Sequence, residues 1–190
     1  MASDRRALRP PVVLLDANLL YPFHLRNLLI QFAVERLIDV RWTAEIHEEW
    51  IRNLAADGRV TRERLTRTLG IMNRVLPGAD VRGYEHRIAG LTLPDAGDRH
   101  VLAAAIEAGA PVLLTFNLVD FPEACLTPHG ISARHPDDFL CALHASDPAA
   151  VEAAVNLARE NLTVTAPAMG AFLEALARQR LVNFAARVRG

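Results

Sequence analysis

The chain has 190 residues, 51% of them hydrophobic, and a formal net charge of −1. That is enough material for one well-buried core and little for two, and the near-neutral balance excludes a global electrostatic pull toward nucleic acid, leaving only local patches. No apolar run approaches the roughly 20 residues that span a bilayer. Met1 to Pro10 lacks the apolar stretch of a secretion signal, so a cytoplasmic protein without membrane attachment is expected.

In chain order, Pro10-Pro11 opens a short apolar run, Val12 to Leu15, that Asp16 closes; it reads as a buried strand. A helical pattern follows from Leu25 to Arg36, then a weaker strand candidate from Leu37 to Trp42. Ala44 to Ala55 and Thr61 to Leu76 read as helices, the second carrying Leu65, Leu69, Met72 and Leu76 on one face. Asp98 to Ala108 is a helix with Gly109 just beyond its end. Val112 to Thr115, opened by Pro111, is a second clear strand, and Ile131 to Ala133 is a fourth candidate. Asp147-Pro148 caps a helix to about Leu162, and Thr165-Ala166-Pro167 repeats the signal before a second long helix to about Arg189.

Strands that are apolar throughout and alternate with helices indicate an α/β fold with a parallel sheet covered on both faces. The expected division is an α/β domain over 1–145 and a helical extension over 146–190. Val151, Val155, Leu173, Leu176 and Phe184 of that extension must pack on the core or on a partner. Cys125 and Cys141 show no Cys-x-x-Cys pairing and read as buried free thiols. The basic residues are all arginine, which suits phosphate recognition, although a GC-biased genome produces the same usage and is the preferred explanation.

Four acidic positions stand where hydrophobic elements begin or end. Asp16 follows Val12-Val13-Leu14-Leu15 directly, at the carboxyl end of a strand, where parallel sheets bind ligands; its ordinary alternative role is a helix cap. In Glu45-Ile46-His47-Glu48-Glu49-Trp50, Glu48 has Arg52 at i+4 and reads as a surface ion pair. Glu49 lies on the edge of the stripe Ile46, Trp50, Leu54 without a cation at that spacing, and Glu45 shares its face. Asp95 and Asp98 flank one helix start; a single Asp suffices as a cap, so Asp98 is taken as the ligand and Asp95 as the cap or as an outer-shell acid. Asn117 and Asp120 follow the strand ending at Thr115, where either alone would be an ordinary turn residue. Carboxylates gathered in this way suit Mg²⁺ or Mn²⁺, hard cations that take oxygen ligands and keep part of their water.

Other chemistries fail on particular residues. A phosphate loop ending in Gly-Lys-Ser/Thr is impossible without lysine. Ser3, Ser132 and Ser146 lie in no Gly-x-Ser-x-Gly elbow. His47-Glu48-Glu49-Trp50-Ile51 departs from the zinc-protease pattern at Ile51. The other histidines, His24, His86, His100, His129, His135 and His144, show no paired ligand spacing and read as surface or capping residues. A phosphoaspartyl enzyme would want a second acid where Asn18 stands.

The ordered segments Leu14-Leu15-Asp16-Ala17-Asn18, Ile46-His47-Glu48-Glu49-Trp50, Asp98-Arg99-His100-Val101-Leu102 and Leu114-Thr115-Phe116-Asn117-Leu118-Val119-Asp120 resemble the PIN domain family, which includes VapC-like toxin ribonucleases. The resemblance covers about Pro11 to Leu143. It implies a three-layer α/β/α fold and Mg²⁺- or Mn²⁺-dependent cleavage of RNA, with Asp16, Glu49 and Asp98 as the acidic ligands. Many relatives carry an acid where this chain has Asn117; either Asp120 supplies the missing charge or a second metal binds weakly there. An antitoxin protein and a second copy of the chain are the partners implied. Arg52, Arg99 and the series Arg59, Arg62, Arg64, Arg67 are candidate phosphate contacts, against a plain solvated helix face. A module of the same fold that binds RNA or protein but no longer cuts is the alternative that Asn117 raises.

Overall fold

The computed structural model describes residues 9–190; Ser3 and most of the segment read above as free of a secretion signal lie outside the described residues. The strands are β1 (Val12–Leu15), β2 (Asp39–Arg41), β3 (Val112–Leu114) and β4 (Ser132–Arg134), all parallel, in the order β2-β1-β3-β4. Val13, Leu14 and Leu15 are fully buried because β1 has a strand on either side and helices above and below. The register sets Leu15 beside Leu114, and the Asp16 amide continues the ladder by donating to the Leu114 carbonyl at 3.1 Å. The carboxyl ends of β1 and β3 therefore finish level. The chain leaves β1 toward β2 on one side and returns to β3 on the other, so a crevice opens between these two ends.

The helices are α1 (Ala17–Leu20), α2 (Phe23–Val34), α3 (Ala44–Ala56), α4 (Arg62–Val75), α5 (Glu85–Ile88), α6 (Arg99–Glu107), α7 (Glu123–Leu126), α8 (Pro136–Ser146), α9 (Pro148–Glu160), α10 (Met169–Arg178) and α11 (Val182–Arg189). With the sheet they form a three-layer α/β/α arrangement. Helix α3 begins where the Thr43 hydroxyl accepts the Ile46 amide at 3.1 Å, and α9 where the Asp147 carboxylate accepts the Ala150 amide at 3.2 Å. No helix among the described residues is long and apolar enough to cross a membrane.

Two expectations are corrected, and one helix is added. The second long C-terminal helix, expected from Thr165 to Arg189, is two: α10 starts only at Met169, and Arg180 turns left-handed (φ +69°) before α11. The break lets Leu181 and Phe184 both bury completely. The added helix is α8, whose start is marked by Pro136 in its first turn and by Asp137-Asp138. Cys125 and Cys141 are free thiols but half-buried, not buried.

Helices α8 and α11 are joined by one buried carboxylate. Asp137, 4% exposed, accepts the Phe184 amide at 2.8 Å, the Asn183 amide at 3.1 Å and the Asn183 side-chain amide at 2.8 Å. It thus caps a helix that has no capping side chain of its own. Val151, Val155, Leu173, Leu176 and Phe184 are all buried, α9 packing on α2 and α11 on α8. Leu157, Val164 and Val182 of the extension stay exposed, and Phe23, Val34, Ile71 and Val75 line an apolar groove of about 430 Å³ between α2 and α4.

Candidate active site

Asp16 sits at the carboxyl end of β1, 7% exposed. Its Oδ1 accepts the Ala17 amide at 2.6 Å, the capping role open to it from sequence, while Oδ2 accepts the Thr115 hydroxyl at 2.6 Å and the Asn18 amide group. Thr115 is the first residue past β3, so the level ends of β1 and β3 create this contact. The Asn18 side chain reaches back across the crevice, donating to Thr115 Oγ1 at 3.0 Å and accepting the Phe116 amide at 3.2 Å. Burial raises the Asp16 carboxyl from its ordinary 3.8 to about 6; the Thr115 and Ala17 hydrogen bonds hold the rise down, and Glu49 and Asp120 add to it.

Asp98 closes a 3-10 turn and leads into α6, while Asp95 caps that turn by accepting the Gly97 amide at 2.7 Å, the division of labour expected for this pair. Asp98 is also pushed up to about 6, by burial first and then by Asp16, Asp95 and Asp120. Glu49, on the half-buried edge of α3, is raised by burial and by Asp98, and Arg52 opposes the rise. Asp120 accepts a hydrogen bond from the Asn117 side-chain amide, so these two positions brace one another in the loop after β3. Asp16, Glu49, Asp98 and Asp120 thus come from four separate segments into one field of like charge.

Glu45, Glu48, Glu49, Arg52, Asp95, Asp98 and His100 line an open cavity of about 410 Å³. Expected at the surface, His100 is instead 7% exposed, its Nδ1 lying 3.6 Å from Glu45 and its Nε2 3.9 Å from Glu49. Being on the first turn of α6, it is carried inward with the apolar face Val101, Leu102 and Ala105. Glu45 is also held by the Tyr84 hydroxyl at 3.2 Å. Glu48 pairs with Arg62 of α4 rather than with Arg52, because α3 and α4 pack against each other. The Glu63–Arg67 pair forms as its spacing predicts. His47 has a structural role, accepting the Trp50 indole N–H at 2.9 Å in a pocket closed by Trp42.

Sequence reasoning missed Thr115, Asn18 and His100. Only Asn18 left a usable signal, a second polar side chain two residues past Asp16 with no other partner in sight.

The donor set is all oxygen and carries more negative charge than the protein balances locally, which suits a hard divalent cation. Among the described residues, no three of His, Cys, Asp or Glu are gathered closely enough to hold an ion by themselves. An ion there would keep water in much of its shell.

The site is thus an acidic crevice at the switch point of a parallel α/β/α sheet. The family model described as the VapC50 C-terminal domain matches residues 136–190. A Mycobacterium tuberculosis protein named as a candidate ribonuclease, VapC50, is 50% identical over 58 residues, 30% of this chain and 34% of that protein. The match therefore spans about a third of the relative's length. No solved structure matches the chain. Both likenesses are to VapC50, the family model over residues 136–190 and the relative over 30% of the chain.

Proposed function

We propose that the chain is a Mg²⁺- or Mn²⁺-dependent endoribonuclease, the toxin of a toxin–antitoxin pair, acting in the cytoplasm. The observation that carries this reading is the convergence of Asp16, Glu49, Asp98 and Asp120 on one crevice, where burial first and then the repulsion of neighbouring acids push the Asp16 and Asp98 carboxyls up to about 6. Asp16, Glu49 and Asp98 would hold the metal, with Asn117 and Asp120 at its other side. A divalent cation bound there supplies a water acidic enough to attack near neutral pH and screens the phosphodiester from the carboxylates. Thr115 and Asn18 fix the Asp16 carboxylate in one orientation, and Asp95 holds the turn that presents Asp98. The relative's name, a candidate ribonuclease, agrees with this reading.

The unit taken to cut is 1–145, with 146–190 as the extension laid over α2 and α8. An antitoxin needs an apolar surface to cover, and the α2–α4 groove offers one; a second copy of the chain would compete for it as a homodimer. The test is cleavage of RNA in Mg²⁺ or Mn²⁺ by the wild type and by Asp16→Asn and Asp98→Asn separately. Both variants should lose activity; unchanged cutting by both ends the proposal. The wide spacing of the acids and the amide at Asn117 favour a second reading, a module that binds RNA or protein without cutting. Calorimetric titration with Mn²⁺ separates the two, since only the enzyme requires metal binding.

A further inference from the structure

Arg180 connects α10 to α11 in a left-handed conformation, φ +69°, which a side chain other than glycine adopts only at a cost. The turn lays its guanidinium over the ring of Phe116, 4.6 Å from the centroid. On the same ring sits His135, 5.3 Å away between centroids and tilted by 60°. Phe116 belongs to the crevice: its amide donates to Asn18 at 3.2 Å, and it lies between Thr115, which holds Asp16, and Asn117, which holds Asp120. The C-terminal segment therefore sets a cation on the ring of the residue between Thr115 and Asn117.

A stacked guanidinium uses its face on the ring and leaves its N–H edge for an acceptor. Among the described residues Arg180 enters no ion pair. Of the arginines favoured from sequence, Arg62 pairs with Glu48, Arg67 with Glu63, and Arg99 donates to the Ala96 carbonyl at 3.0 Å, while Arg52 lines the acid cavity beside Glu49. A phosphodiester entering a field of four carboxylates needs a positive group fixed nearby.

We propose that Arg180, flattened on Phe116, binds a phosphate of single-stranded RNA next to the scissile position. This rests on the ribonuclease reading above and makes residues 136–190 part of the substrate site. Binding of a fluorescently labelled single-stranded RNA oligonucleotide is measured by anisotropy in chelator, which prevents cleavage. Arg180→Ala and Arg180→Gly should each weaken binding about tenfold, and the salt slope should fall by about 0.7, the share of one phosphate on a single strand. Glycine suits the left-handed turn, so Arg180→Gly should melt no lower than the wild type while still losing affinity, which separates a contact from a fold defect. Arg180→Lys keeps the charge without the flat seat and should fall between. Wild-type affinity and salt slope in both Arg180→Ala and Arg180→Gly would overturn the proposal while leaving the ribonuclease reading standing. Absence of RNA binding by the wild type would overturn this proposal, while the cleavage assay above decides the ribonuclease reading.

Discussion

Replacing Asp16 with asparagine removes a charge that the fold holds under strain, and should yield a protein more stable than the wild type above about pH 6. The carboxyl titrates near 3.8 in the unfolded chain and near 6 in the folded one, a rise of about two pH units. Between those values the folded state binds more protons, so stability falls as pH rises through the window, and the loss is complete above it. At ~1.4 kcal/mol per unit this amounts to ~3 kcal/mol. Asparagine avoids that loss but gives up part of the hydrogen bonding, because one Asp16 oxygen accepts from both Thr115 and Asn18 and an amide nitrogen cannot; the cost is ~1 kcal/mol for each bond lost. The variant should therefore gain roughly 1 to 2 kcal/mol at about pH 8 and be the weaker protein at about pH 4. Urea denaturation of both proteins across that range, in chelator, gives the difference directly, and groups that titrate alike in both cancel. A difference that does not change with pH would refute the reasoning. The same variant should fail to cut RNA.

Mn²⁺ at about a hundred times its dissociation constant should stabilise the wild type by ~2.7 kcal/mol and leave Asp16→Asn and Asp98→Asn unmoved; equal thermal shifts in all three would place the ion elsewhere. Asp137→Ala should cost ~3 kcal/mol in chemical denaturation, since it strands the Asn183 and Phe184 donors at the start of α11; a loss under 1 kcal/mol would show that water takes over the cap. Burial lowers the His47 imidazole from 6.5 to about 4, so its contribution to stability is complete above 6.5 and disappears as pH falls toward 4. Its ring signals in NMR should stay those of the neutral form down to about pH 4, and titration near 6.5 would contradict the Trp42–His47–Trp50 packing.

The sheet could be read from the chain because β1 and β3 are buried on both faces, which forces unbroken apolar runs such as Val12 to Leu15. Helices with local caps, Thr43, Thr61 and Asp147, were equally legible. The break at Arg180 was not, because the cap of α11 comes from Asp137, 46 positions away, and no neighbouring residue announces it. The same holds at the site. The acids showed themselves by interrupting apolar elements, whereas the hold of Thr115 on Asp16 exists only once β1 and β3 are in register, and His100 turns inward only because α6, which carries it, packs on β1 and β3. Glu48 found Arg62 across two helices instead of Arg52 along one, a choice made by packing.

The Asp137 clasp also dictates how this part of the molecule can open. The amides of Asn183 and Phe184 are shielded by a carboxylate on the first turn of α8, so their hydrogens can exchange with solvent only when that turn and α11 separate. Deuterium uptake at these two amides should therefore rise and fall together with that of α8, the two helices behaving as a single unit of local unfolding.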